Sequence, residues 1–399
     1  MDHGAPQERP GITAYPLEFS GSGGEYFRVW IVNVLLTIVT LGFYTPFARR
    51  RTAQYFYGHS LVADSPLEFT AQQRKMVLGF LLLVLLYIAF NTAADTGQDA
   101  VVAFMLLAGA ALAPYFWASA MRFRLNATRW RGVRLQFTAG WGEVYRASWP
   151  VFAIALAWTA VSLLASALLP EQPTPAQQAA AVGPVMGAAG AALLASVLCV
   201  IRLEFNYKSL LVARARIGGQ PGRWKPVFGD FVRIWLATLG VFLASLVLVG
   251  VLLAAALGGS AALFPQVRHM GLFAVLLAIA AVLAGIFILF LVSAPARAYR
   301  EARIFRLVWN NIGVSQLARF RCNLRVGGYV GLRIRNTFLT LFTLGFYRPF
   351  ALVSEYRMKL ESVTLHVKGG LDQLAGQLAR EEQGLGDAVA DAVGLDLVG

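Results

Sequence analysis

Charged side chains are scarce in this sequence of 399 residues, at 14%, where soluble chains carry about a quarter. Six apolar runs lack Asp, Glu, Lys and Arg altogether: Met76 to Ala94, Ala100 to Met121, Trp149 to Leu169, Ala180 to Ile201, Ile234 to Leu257 and Gly271 to Ala294. That absence argues against a soluble helical protein, because helices apolar on every side need a very large core or lipid around them. Each run is close to the ~20 residues that cross a hydrocarbon core of about 30 Å. Six transmembrane helices are therefore expected.

Further absences narrow the function. The two cysteines, Cys199 and Cys322, are too few and too far apart for a disulfide framework. The four histidines, His3, His59, His269 and His366, are scattered along the chain, so neither a metal site nor a cofactor is expected. There is no GxGxxG between a strand and a helix, no GxxxxGK[ST], no HExxH and no paired CxxC. Gly21, Gly23 and Gly24 lead into a hydrophobic segment rather than a βαβ unit and read as an entry turn. An enzyme is not expected. No apolar run precedes Val29, so a secretory leader is not expected either, and insertion falls to the spans themselves.

The charge that is present has a pattern. Four linkers, Thr45 to Lys75, Arg122 to Arg146, Arg202 to Arg233 and Arg297 to Arg335, hold 27 of the 35 Lys and Arg residues against 6 acidic ones. The short loops within span pairs carry Asp95, Asp99 and Glu171, then Arg268 with His269. By the positive-inside rule the linkers, and with them both termini, face the cytoplasm. The formal charge of +14 is spread over every linker, which suits membrane topology better than nucleic-acid binding. Membrane lipids are the expected partners, with anionic head groups drawn to the basic linkers.

Internal repetition carries the most information. Tyr26 to Ala48 and Tyr329 to Ala351 match at 13 of 23 positions. FSGSGGEYFR from Phe19 resembles FTAGWGEVYR from Phe137, and Pro46, Pro114 and Pro295 each precede arginines. Each of these prolines is expected to end or bend a hydrophobic segment. The uninterrupted stretch Asn336 to Tyr347 has 12 residues, about 18 Å of helix and too short to span. The repeated segments are thus expected to re-enter the membrane, turning near Gly42 and Gly345; eight spans is the alternative.

The expected fold is an all-α polytopic membrane protein with six clear transmembrane helices, the two short repeated segments, and small α+β cytoplasmic linkers. LVADSPLEF, GVRLQF, ARFRCNLRV and VTLHV within the linkers read as strands. The expected division is an entry segment over 1–26 and a membrane domain over 27–350, whose repeats cover 26–48 and 329–351. A cytoplasmic helix and strand follow over 351–370, then an amphipathic helix and acidic tail over 371–399. Gly183, Gly187 and Ala191 read as a close helix-packing stripe.

The motif LTxxTLGFYxPFA, with FxGxGxEYFR upstream of its first copy, resembles the YjgN-like family of bacterial inner-membrane proteins, and the likeness covers essentially the whole chain. It implies a multi-pass bacterial plasma-membrane protein. No activity and no functional residue carry over from it.

Candidate site residues come from the repeat. Asn33, Thr37, Thr40 and Tyr44 share one helical face, and Asn336, Thr340, Thr343 and Tyr347 repeat it. Such faces glue helices together by hydrogen bonds or line a substrate path at a repeat interface. A transporter, facilitator or channel is one expected function; a scaffold binding lipid or a protein partner is the other. The spans hold no carboxylate, which argues against proton coupling.

Overall fold

A computed structural model describes residues 12–169, 174–218, 220–257, 272–314 and 318–369. Five units follow one another, each a strand, a helical hairpin and a strand. The first is β1 (Ile12–Phe19), α1 (Gly23–Val39), α2 (Thr45–Gly58) and β2 (Ser60–Val62). The second is β3 (Ser65–Phe69), α3 (Gln73–Asp95), α4 (Asp99–Asn126) and β4 (Thr128–Trp130). The third adds a short helix: β5 (Val133–Phe137), α5 (Trp141–Ala147), α6 (Trp149–Leu168), α7 (Pro175–Arg214) and β6 (Ala215–Ile217). The fourth is β7 (Gln220–Trp224), α8 (Phe228–Leu257), α9 (Leu272–Asn311) and β8 (Ile312–Val314). The fifth is β9 (Ala318–Cys322), α10 (Val326–Phe342), α11 (Arg348–Glu361) and β10 (Val363–Lys368).

All ten strands close into one antiparallel barrel, in the order β1-β10-β9-β8-β7-β6-β5-β4-β3-β2, with β2 paired back to β1. This overturns the all-α expectation with small separate linkers. Each linker supplies two strands, one of three residues and one of five, too few to be stable alone. They become a structure by pairing with the linkers on either side, and β10 closes the ring on β1. Strand patterning had suggested parts of β2, β3, β5, β9 and β10; it missed β1, β4, β6, β7 and β8.

Local chemistry sets the register. The β2–β3 and β4–β5 turns have two central residues at positive φ, Ala63 with Asp64 and Arg131 with Gly132, the geometry that matches the twist of a two-residue hairpin. Side chains alternate in and out along the strands. Leu17, Phe19, Trp130, Val133, Phe137, Val363, Leu365 and Val367 are buried, while Glu18, Glu68, Arg134, Arg223, Arg319 and Arg321 are exposed. The apolar face receives the barrel-side ends of the helices through ring contacts: Tyr57 with Phe69, Trp117 with Phe137, Trp309 with Phe320 and Tyr356 with Phe19.

The barrel also decides how many times the terminal segments cross. The strands before and after each hairpin are hydrogen-bonded neighbours, as β1 is to β2 and β9 to β10, so every hairpin leaves the barrel and returns to it. A single crossing at either repeated segment would put paired strands on opposite sides of the bilayer. The eight-span alternative fails on that ground.

Five described helical stretches are long and apolar enough to cross a membrane: Gln73–Asp95, Ala100–Asn126, Trp149–Leu168, Pro175–Arg214 and Phe228–Val251. Their apolar side chains face outward, Leu78, Leu85, Leu156, Leu194 and Leu236 among them, as lipid-facing residues do. The sixth expected span, Gly271 to Ala294, lies partly outside the described residues, as do His3, His269, Glu171, Arg268 and everything expected after Gly369.

Two smaller expectations change. Pro46 and Pro349 start α2 and α11, where the missing N–H costs nothing, and Pro114 and Pro295 lie inside continuous helices. Gly183 and Gly187 have nothing within 4 Å of an added Cβ, so they are not a close-packing stripe within this chain.

Candidate functional site

The repeated segments form two short hairpins, α1–α2 and α10–α11, beside each other. Phe27 stacks on Phe350 with ring centroids 5.8 Å apart, and Trp30 meets Phe346 edge-on at 6.4 Å. Their tips are built alike. Leu41 and Gly42 have φ of 49° and 94°, Leu344 and Gly345 of 50° and 95°. Gly42 N donates to Thr37 O and Gly345 N to Thr340 O, both at 2.7 Å, closing the first helix with a left-handed turn. Thr40 Oγ1 and Thr343 Oγ1 accept from Tyr44 N and Tyr347 N at 2.9 Å. The tips are strongly exposed, with Leu41 at 90% and Leu344 at 91%, which suits insertion into hydrocarbon. At 17 residues α1 and α10 reach about 25 Å, and their inner ends sit at the barrel.

The expected polar stripe thus divides into two kinds of residue. Thr40, Tyr44, Thr343 and Tyr347 make the turns. Thr37 Oγ1 donates to Asn33 O at 2.6 Å. Asn33 Nδ2 donates to Ala48 O at 3.4 Å and Asn336 Nδ2 to Ala351 O at 3.3 Å, each tying the two helices of its hairpin. Both asparagines are buried, and the Oδ1 of each has no partner. The stripes do not meet across a centre. Asn33 and Thr37 line a cavity of about 1190 Å³ bounded by α1, α2, α3 and α4; Asn336 and Thr340 line another of about 540 Å³ between α9, α10 and α11.

The fifth unit carries charge where the first does not. At the common offset of 303 residues, Arg333 replaces Trp30, Arg348 replaces Thr45 and Glu355 replaces Thr52. Arg333 pairs closely with Glu355 and lies 3.7 Å from Glu301. Asn336 Nδ2 also donates to Glu355 Oε1 and Ser354 Oγ, both at 3.0 Å. Glu301 Oε1 accepts from Tyr329 Oη at 2.8 Å and from Lys359 Nζ at 2.7 Å. Burial alone would raise the Glu301 carboxyl, but the Lys359 bond and charge, helped by Tyr329 and Arg333, hold it below the usual carboxylate range. Burial and then the Glu301 charge push the Tyr329 hydroxyl up.

The smaller cavity is lined by both charged and apolar side chains. Arg297 and Arg333 line it with the single acid Glu355, Arg348 lines it at the start of α11 beside the hairpin tip, and Phe287, Leu341 and Leu344 line it nearer the membrane interior. Arg297 bends back along α9 toward the membrane: its guanidinium donates to Phe290 O at 3.1 Å and covers the Phe290 ring at 4.3 Å. Stripe reasoning missed these charged residues. The differences between the two repeat copies were the available signal, above all an Arg inside one copy where the other has Trp. No group of His, Cys, Asp and Glu that could hold a metal occurs among the described residues.

Comparison with known proteins agrees with the membrane placement. Inner membrane protein YjgN of Salmonella typhimurium is 27% identical over 140 residues, 35% of either chain. The proteins of that name from Escherichia coli O157:H7 and Escherichia coli strain K12 are 26% identical over 134 residues and 28% over 126, covering 34% and 32% of either chain. The alignments thus span about a third of these relatives. No solved structure matches the chain. Residues 14–392 match the family described as bacterial protein of unknown function (DUF898). With that match over nearly its whole length, relatives named for the inner membrane and several apolar helices turned outward, the chain belongs to the DUF898 family and is a multi-pass protein of the bacterial inner membrane.

Proposed function

We propose that this protein binds anionic amphiphiles from the membrane leaflet next to its barrel and serves as a lipid-handling membrane protein. The carrying observation is the cavity between α9, α10 and α11, lined by three arginines and one carboxylate together with aromatic and aliphatic side chains. From Arg297 to Phe287 along α9, and from Arg333 to Leu344 along α10, the lining changes from charged to apolar over about 15 Å of helix. An arginine turned toward hydrocarbon needs an anionic or aromatic partner. Arg297 has the Phe290 ring and Arg348 has no ion-pair partner among the described residues, which leaves room for a phosphate.

Charge asymmetry makes the barrel-side leaflet the cytoplasmic one. To test the reading, the protein is reconstituted in vesicles of equal parts phosphatidylglycerol and phosphatidylcholine, extracted with its lipids, and the retained lipids are measured. The protein should retain phosphatidylglycerol preferentially, and R297Q/R348Q should lose the preference. Equal retention of both lipids by the unchanged protein would refute the proposal.

A second reading, a facilitator or channel for a small solute, is favoured by the larger cavity of about 1190 Å³ at Asn33 and Thr37. Release of a trapped fluorescent solute from the same vesicles tests it, and vesicles as tight as protein-free ones would count against it.

A further inference from the structure

Against the other side of the same helices lies a second cavity, of about 250 Å³, bounded by α8, α9 and α10. It shares Leu291, Ala294 and Thr337 with the arginine-lined cavity, so the two hollows are separated by little more than these side chains. Leu248, Ile288 and Phe338 form its other walls. Two hydroxyls reach it, and both protons are already engaged: Ser245 Oγ donates to Val241 O and Thr337 Oγ1 to Arg333 O, each at 2.8 Å. The second hollow therefore offers a ligand hydrocarbon contact and no charged group.

We infer that the ligand is a phospholipid with two acyl chains. This deepens the lipid-handling reading and rests on it. The phosphate sits at Arg297 and Arg348, which have no carboxylate partner among the described residues, one chain follows Phe287 and Leu341, and the other occupies the hollow behind Thr337. A phosphate matches the planar donor fork of arginine better than a single carboxylate does, because it can engage more than one guanidinium at once. A single-chain anion would fill the first cavity and leave the second without its hydrocarbon. The two-chain ligand makes packing contacts in both, contacts that an unfilled hollow forfeits.

The test compares three probes titrated into the detergent-purified full-length protein, with bound lipid counted by native mass spectrometry. They are dioleoyl phosphatidylglycerol, oleoyl lysophosphatidylglycerol and dioleoyl phosphatidylcholine. The two-chain anionic lipid should reach half-saturation at a concentration at least about tenfold below the single-chain one, since its second chain packs into a hollow that the single-chain lipid leaves unfilled. Val249→Trp, which fills the apolar hollow, should remove most of that advantage and leave lysophosphatidylglycerol binding unchanged. Unchanged single-chain binding also shows that the variant is folded. Equal half-saturation by the two anionic lipids, or a V249W loss shared equally by both, would overturn the two-chain inference while the anionic reading stands. Phosphatidylcholine binding as strongly as phosphatidylglycerol would overturn both.

Discussion

Replacing Asn336 by Leu should destabilise the protein more than replacing Asn33 by Leu, although the two residues occupy the same place in the repeat. Each ties its hairpin through a bond to a carbonyl fifteen residues on, and each has a buried Oδ1 without a partner. Relief of that orphan oxygen is common to both variants and cancels between them. What differs is the acceptor set. Asn33 loses one long bond to a neutral carbonyl, comparable to interhelical bonds in membrane proteins that average about 0.6 kcal/mol. Asn336 also loses its bond to the buried Glu355 carboxylate, and hydrogen bonds to charged groups contribute about 1.5–3 kcal/mol. N336L should therefore cost about 1.5–3 kcal/mol more than N33L. Unfolding in mixed micelles titrated with dodecyl sulfate, followed by near-ultraviolet circular dichroism, measures both. A double-mutant cycle with E355Q isolates the Asn336–Glu355 coupling. Equal costs for the two variants, or a coupling below about 0.3 kcal/mol, which is the usual error of additivity, would show that the carboxylate bond contributes nothing.

Other consequences can be checked independently. G42A and G345A should each cost about 1–2 kcal/mol, since both glycines sit at positive φ with nothing near an added Cβ, so the loss is purely conformational; melting temperatures in detergent report it. Glu301 has a folded pKa below its unfolded value. Its contribution is therefore present above the ordinary carboxylate pKa of about 4.3 and is lost as pH falls below it. Acid unfolding of E301Q should lack that share of the pH dependence, and an identical acid profile would remove Glu301 from the account. Ending the chain before Val363 deletes β10 and leaves β1 and β9 with open edges, which should produce aggregates on size exclusion. In a cysteine-free background, a membrane-impermeant thiol reagent added from outside should label position 97 and not position 41; labelling at 41 would end the re-entrant placement of the first hairpin.

The sequence by itself determined the membrane solvent, because a charge inside a lipid-facing span is too costly to be hidden by later folding. Among the described residues the six apolar runs therefore lie on helices, as the stretches from Met76 and Trp149 show. The repeat was equally legible, and with it the turns at Gly42 and Gly345, whose positive φ is a local property of the chain. Tertiary structure decided the barrel. SLV, TRW and IGV are three-residue strands with no periodicity long enough to register, and β1 meets β10 across 350 residues of sequence by a pairing that no local pattern encodes. It also decided the site. Thr40 and Thr343 look like a polar stripe on a helical wheel, yet their oxygens are used in the adjoining turns. Arg297, from a different unit of the chain, comes to share a cavity with Arg333 and Arg348 because α9 packs against α10. Helical periodicity places residues on a face, but which faces meet is set by the closing of the barrel beneath them.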